Sequence, residues 1–109
     1  MIGALSALGL VVGRDKIEDT KRYRSGMDLA AELRSRFTEE MKVQFGLSDT
    51  LDNTLCRRIH MAIYGRSFDL TKPEEFQAFL KAGGHGDEGC PKVCGVAAEV
   101  AAEEILGLR

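Results

Sequence analysis

Apolar residues recur every three or four positions along most of the chain, which is the spacing of one face of an α-helix. The longest stripe runs through residues 15–45 and predicts a long amphipathic helix that ends at a C-capping Gly46. Its predicted inward residues are Tyr23, Met27, Ala30, Leu33, Phe37, Met41 and Phe45. No alternating strand pattern appears, so the helix is the element from which this fold is built.

Three shorter segments carry the same helical spacing. Residues 53–64 follow Asp52, a predicted N-cap, and the next segment has Thr71 and Glu74 at capping-box spacing. A last helix is predicted over residues 90–106. The inward residues of these three helices are predicted to be Leu55, Ile59, Ala62 and Ile63, then Phe76, Phe79 and Leu80, then Val93, Val96, Ala97, Val100, Ala101 and Ile105.

The first residues of the chain form an apolar helix without a capping residue before it. Small side chains at Gly3, Ala4, Ala7 and Gly9 would let another helix or a second chain approach closely. We therefore expect a domain truncated at its N-terminal side, the alternative being a native start on a frayed helix. Together the segments predict an all-α fold, a small helical bundle of about five helices, in one domain over residues 1–109.

Charge and composition narrow the classes of partner. The 109 residues are 44% hydrophobic and 29% charged, and the formal net charge is −2. Without an excess of cations, neither nucleic acid nor a membrane is expected as a partner. The first apolar run has no basic segment before it, and three cysteines are an odd number for a disulfide framework. We therefore expect a cytoplasmic protein with free or metal-bound thiols.

Two of the cysteines lie where the last helix is predicted to begin. Pro91 is favoured at the first helical position, which makes Cys90 the predicted N-cap and places Cys94 one turn later. The partial positive charge of a helix N-terminus favours thiolate over thiol. The sequence thus predicts that Cys90 is the most reactive thiol, that Cys94 follows, and that Cys56 is the slowest.

Further metal-ligating side chains lie nearby in the sequence. Cys56 and His60 are four residues apart on one predicted helix face, and His85 lies in a glycine-rich loop before Cys90. With Cys94, these residues contain the donors for a Cys₃His zinc site or for part of an iron–sulfur site. The alternatives are that the cysteines pack as small apolar residues, that His60 is a surface or hydrogen-bonded core residue, and that His85 is solvated.

The order of residues resembles the redox-active protein family called C_GCAxxG_C_C, which is related to the C-terminal part of split-Soret cytochrome c. The matching stretches, which span most of the chain, are GALSALGLVVGR, RFTEEMKVQFG, TLCRRI, FDLTKPEEF and CPKVCGVAAEVAAEEIL. In this resemblance Cys56 is similar to the third signature cysteine and Cys90 to the fourth. The Gly-Cys-Ala motif of the family would precede Met1, and Cys94 has no counterpart.

Two functions follow as hypotheses. The resemblance implies a redox-active or iron–sulfur-binding protein, with an iron–sulfur cluster or zinc as its candidate cofactor. Electron transfer to a redox partner protein is a candidate role for such a protein. The residues alone also allow a non-catalytic helical module that forms a homodimer through its N-terminal helix. No catalytic reaction is assigned by the sequence.

Overall fold

The computed structural model describes residues 1–108, which form five α-helices and no strand. The helices are α1 (Ile2–Val12), α2 (Thr20–Phe45), α3 (Cys56–Tyr64), α4 (Pro73–Lys81) and α5 (Cys90–Gly107). The prediction of a small all-α bundle with one long amphipathic helix is confirmed. Within this part of the chain, no helix is both long enough and apolar enough to cross a membrane.

Helices α1, α2 and α5 pack around the main core. Arg36 binds Glu104 and Gln44 binds Glu99, so α2 and α5 run antiparallel. A short loop joins α1 to α2, and the two helices form a hairpin. Apolar side chains from all three fill the space between them, and the burial of this surface is the main term that stabilises the bundle. The buried members from these three helices are Ala4, Leu8, Leu33, Phe37, Met41, Val96, Ala97, Val100 and Ala101, and they are joined by Leu51 from the loop after α2 and Ile59 from α3.

The long helix begins later than its apolar pattern predicts. It starts at Thr20 rather than at residue 15, because the Asp19 carboxylate accepts a hydrogen bond from the Arg22 backbone N–H at 3.0 Å and caps the helix. The helix ends where predicted, at Gly46, whose φ of 62° is the left-handed conformation that glycine adopts readily.

The first half of the α2 stripe is more exposed than predicted. Tyr23 and Met27 are 48% and 50% exposed, whereas Leu33 is fully buried. Arg36 pairs with Glu104 near the end of α5, so α5 ends level with the middle of α2. Among the helices of residues 1–108, the earlier turns of α2 therefore have α1 alone beside them.

The predicted caps of α3 and α4 are wrong. Asp52 instead forms an ion pair with Arg58 at 2.8 Å, and α3 begins later than predicted, at Cys56. Leu55 consequently lies outside the helix and is 59% exposed rather than in the core. Before α4, the Thr71 hydroxyl donates to the Asp69 carboxylate rather than capping the helix. Both side chains that were predicted to cap a helix instead bind another polar side chain, Arg58 in the case of Asp52 and Asp69 in the case of Thr71.

Candidate functional site

Three side chains meet where α3 approaches the beginning of α5. The Cys90 Sγ lies 3.7 Å from His60 Nε2 and 4.0 Å from the Tyr64 hydroxyl oxygen. His60 is 5% exposed and Cys90 is half-buried. The site is therefore a thiol held against an imidazole and a phenol, largely away from water.

The spacing of α3 explains how this site is built. His60 and Tyr64 are four residues apart and so share one helix face. Both rings pack against Phe68 and Phe79, with centroids 5.4 to 5.9 Å apart and mostly edge-to-face. Aromatic pairs favour this geometry, and the rings are thereby held in fixed orientations.

A glycine-rich loop, residues 83–89, positions Cys90 against that aromatic wall. A Cβ atom on Gly84 would collide with the Phe79 ring, and one on Gly89 would collide with the carbonyl oxygen of Gly83. The loop therefore approaches Phe79 more closely than a larger residue would allow. Its end is tied down by the hydrogen bond from the Cys90 N–H to the Gly84 carbonyl oxygen, at 3.0 Å.

The helix terminus does not hold Cys90 as a thiolate, and that prediction is wrong. Burial raises the pKa of the Cys90 thiol, and the charges of Cys56 and Cys94 raise it further, while the hydrogen bond to Tyr64 lowers it. Gly89 rather than Cys90 is the N-cap. The N–H of Cys90 is already bonded, Pro91 has none, and the sulfur lies among aromatic rings. Burial therefore outweighs the helix terminus.

Burial also favours the neutral forms of His60 and Tyr64, the two side chains beside Cys90. Burial lowers the pKa of His60, so its imidazole is neutral at neutral pH and one ring nitrogen can accept a proton. Burial, with the charge of Cys90 and the hydrogen bond to it, raises the pKa of Tyr64 to about 12. At neutral pH the site therefore contains a thiol, an imidazole and a phenol, all uncharged.

The other predicted residues lie around this site rather than in it. Cys56 and Cys94 are exposed, so neither packs in the core as the alternative interpretation of the cysteines supposed. Both thiols are near enough to Cys90 for their charges to affect its pKa. His85 is exposed and packs edge-on against Phe79, the residue that also contacts His60. The structure thus places His60 in contact with Cys90, whereas His85 contacts Phe79.

The five predicted donors do not converge as a zinc or iron–sulfur site requires. Within residues 1–108, no three His, Cys, Asp or Glu side chains are arranged to hold a metal ion. Cys90 Sγ and His60 Nε2, at 3.7 Å, are the two donors that do meet. Four ligands at tetrahedral positions are typical of a structural zinc site. The arrangement of these donors within a single chain therefore does not fit a structural zinc ion or an iron–sulfur cluster.

Tyr64 is a residue of this site that the sequence pattern did not single out. It follows His60 by four residues, and Cys56 precedes His60 by four, so all three lie along one face of α3. That repeated spacing is the signal from which Tyr64 could have been found. Phe68 and Phe79 had no such signal, since the loops between α3, α4 and α5 bring them to the site.

Comparisons with protein-family models, with curated proteins and with solved structures find no match to this chain.

Proposed function

We propose that this chain is a thiol-based redox protein that exchanges electrons with a disulfide of a partner protein through Cys56 and Cys90. The observation that carries the proposal is the Cys90 thiol beside the neutral imidazole of His60, at 3.7 Å. The exposure of Cys56, four residues before His60, supports its role as the thiol that meets the partner. The resemblance to the redox family assigns signature positions to the same two cysteines. The proposal implies a reducing compartment, the cytoplasm.

The exchange proceeds in two displacements. The Cys56 thiolate attacks one sulfur of the partner's disulfide, forming a mixed disulfide and releasing the first partner thiolate. His60 accepts the proton of Cys90 as the Cys90 sulfur attacks the sulfur of Cys56, so that no free thiolate forms in the buried site. The products are a Cys56–Cys90 disulfide and a second partner thiolate. Two electrons pass from the two cysteines of this chain to the partner, and the proton of Cys90 passes from His60 to one of the two released partner thiolates, which leaves His60 neutral again.

The roles of the two thiols follow from their surroundings. An attacking thiol must reach a bulky partner, which favours exposed Cys56. A half-buried thiol is better placed to attack a sulfur of its own chain than a sulfur of a partner protein. Cys90 is therefore the residue that attacks Cys56 and releases the partner. Cys94 is less suited to pair with Cys90, because residues four apart on a helix have Cβ atoms about 6 Å apart, whereas a disulfide needs roughly 3.5–4.5 Å. No step is assigned to a metal.

The test is disulfide mapping after oxidation of the reduced protein by excess oxidised glutathione. We expect a Cys56–Cys90 bridge in the original chain and in Cys94→Ser, the matched control. In Cys90→Ser we expect the reaction to stop with glutathione attached to Cys56. Persistent mixed disulfides on Cys56 and Cys94 of the original chain, with no internal bridge, would contradict the proposal.

A second candidate function, a helical dimerisation module, is favoured by the surface of α1. Ile2 and Leu10 are 85% and 91% exposed, and Ser6 is the one polar residue of α1. A groove of about 480 Å³ between α1 and α5 is lined mainly by glycine and alanine, including Ala98. Small residues of this kind let a second helix approach closely.

Sedimentation equilibrium tests the second candidate. We expect a dimer that Ala98→Glu dissociates, because the substitution places a carboxylate in the groove. Ala31→Glu is the matched control, since Ala31 is an exposed alanine on α2 that does not line this groove. A monomer at every concentration of the original chain would exclude the module.

A further inference from the structure

A second pocket lies between α1 and α2, away from all three cysteines. Its volume is about 380 Å³, within the range of small-molecule sites. Its floor is apolar and comes from both helices: Leu5, Leu8 and Val12 from α1, with Met27 and Ala30 from α2. Val12 and Ala30 are only partly buried and Met27 is half exposed, so the two helices leave apolar surface uncovered along this seam.

The charged residues that line this pocket are all arginines. They are Arg14, Arg22 and Arg34, and no aspartate or glutamate shares the lining. In residues 1–108, none of the three guanidinium groups has a carboxylate within ion-pair distance. An apolar pocket bordered by cations without counter-ions is complementary to a ligand with an apolar body and an anionic head.

Two of the arginines are fixed at one end of the pocket. Arg22 donates from Nε to the Gly13 carbonyl oxygen at 2.7 Å and from Nη2 to the Val11 carbonyl oxygen at 3.2 Å, which places its guanidinium where α1 ends. Arg14 lies over the Tyr23 ring, 4.4 Å from the centroid, and donates from Nη1 to the Ile17 carbonyl oxygen. These bonds use some of the N–H groups of each guanidinium and leave others for a ligand.

The third arginine lies at the opposite end. Arg34 follows Arg22 by twelve positions on α2, a distance of about 18 Å along a helix. The apolar lining of the pocket therefore has a pair of cations towards one end and a single cation towards the other. A ligand with one anionic head is attracted more strongly to the end with two arginines, Arg14 and Arg22, than to the end with Arg34 alone.

We propose that this pocket binds a free medium-chain carboxylate, with its hydrocarbon chain along the seam between α1 and α2 and its carboxylate at Arg14 and Arg22. The apolar floor accounts for the chain, and the paired guanidinium groups account for the head. A bidentate arginine–carboxylate contact is among the strongest hydrogen-bonded pairs in proteins. The site shares no residue with the thiol centre, so the two proposals stand or fall separately.

The experiment is an NMR titration of the full chain with octanoate, with 1-octanol and with octyltrimethylammonium. Octanoate is expected to shift the backbone amide signals of Gly9 and Gly26, two residues that line the pocket. Octanol is expected to bind about tenfold more weakly, because it lacks the charge that the arginines pair with. The cationic amphiphile is expected not to bind at the pocket.

Two pairs of variants locate the ligand. Arg14→Gln is expected to weaken octanoate binding about tenfold, whereas Arg34→Gln, at the far end, changes it little. Gly9→Leu is expected to abolish binding by filling the pocket. Gly3→Leu is its control, because Gly3 is also an α1 glycine with no atom within 4 Å of an added Cβ but does not line this pocket.

Several results would overturn the proposal. One is the absence of amide shifts at the pocket in millimolar octanoate, which is also the result expected if the seam instead takes an acidic helical segment of another protein. Others are octanol binding as tightly as octanoate and octanoate binding unchanged in Gly9→Leu. Because Gly9→Leu replaces a helical glycine with a better helix former, α1 is expected to stay folded in that variant.

Discussion

At the scale of single residues, the reactivity of the three thiols is set by burial more than by helix position. Cys56 and Cys94 are exposed, while Cys90 is half-buried with a raised pKa. We therefore predict that iodoacetamide labels Cys56 and Cys94 before Cys90 in the native, reduced protein at neutral pH, because the thiolate is the reactive form. Timed alkylation with peptide mass mapping measures the order. Labelling of Cys90 first would show that its thiol is more open than its surroundings indicate.

The raised pKa of Tyr64 predicts how the free energy of unfolding changes at alkaline pH. Its folded-state pKa of about 12 lies above the ordinary value of 10.0, so the fold favours the neutral phenol. The stabilising contribution is fully present below pH 10 and is lost as the pH rises through 12. We expect urea unfolding to show this loss, and Tyr64→Phe to reduce it. An alkaline loss of the same size in Tyr64→Phe would contradict this assignment.

At the scale of helices, an ion pair joins α2 to α5 at the edge of the core. Glu104 is 5% exposed, and its Oε2 accepts from Arg36 at 2.8 Å, while its other oxygen has no hydrogen-bond partner among residues 1–108. Arg36→Ala should lower the free energy of unfolding by about 2 kcal/mol, because it leaves a buried carboxylate unpaired. Arg66→Ala, which removes a more exposed pair with Glu75, should cost less than about 1 kcal/mol.

The double variant Arg36→Ala/Glu104→Leu checks this mechanism. An apolar side chain at position 104 needs no partner, so much of the lost stability should return. Chemical denaturation of the three proteins gives the comparison. Equal losses in the single and double variants would assign the effect to the packing of the arginine stem instead.

The junction between the glycine loop and α5 carries a second prediction at this scale. A Cβ at Gly89 would overlap the Gly83 and Gly84 carbonyl oxygens and lie 2.9 Å from the Tyr64 hydroxyl. Gly89→Ala should therefore destabilise the protein by about 1–3 kcal/mol and speed alkylation of Cys90. Gly95→Ala is the matched control, with open space around its Cβ, and should be neutral or stabilising. Thermal unfolding that ranks the two variants in the reverse order would contradict the close approach.

At the scale of the whole molecule, the apolar burial is concentrated in one part of the bundle. Leu33, Phe37 and Met41 of α2 are fully buried against α5, whereas α4 buries only Phe79. We expect amide hydrogen exchange to be slowest in the second half of α2 and the middle of α5, and to be faster in α4. Exchange of α4 as slow as that of α2 would show that the aromatic cluster and the main core unfold as one unit.

The sequence by itself determined the number of helices, their approximate positions and the larger part of their buried faces, because the periodicity of apolar residues depends only on the local helical geometry. Phe37, Met41, Val96 and Val100 are buried as that pattern predicts. Helix starts were less predictable, since Asp52 and Thr71 had more than one polar partner within reach. The local sequence pattern does not show which of these polar partners each side chain binds.

Only the tertiary structure decided which chemical groups meet and in what ionisation state. His60 and Cys90 are thirty residues apart in the sequence and belong to different helices, so their contact depends on the glycine loop that approaches Phe79. The pKa of Cys90 depends on whether burial or the helix terminus dominates, and burial is a property of the assembled bundle. The pairing of Arg36 with Glu104 and the arginine-bordered seam beside α1 likewise arise only when the helices pack.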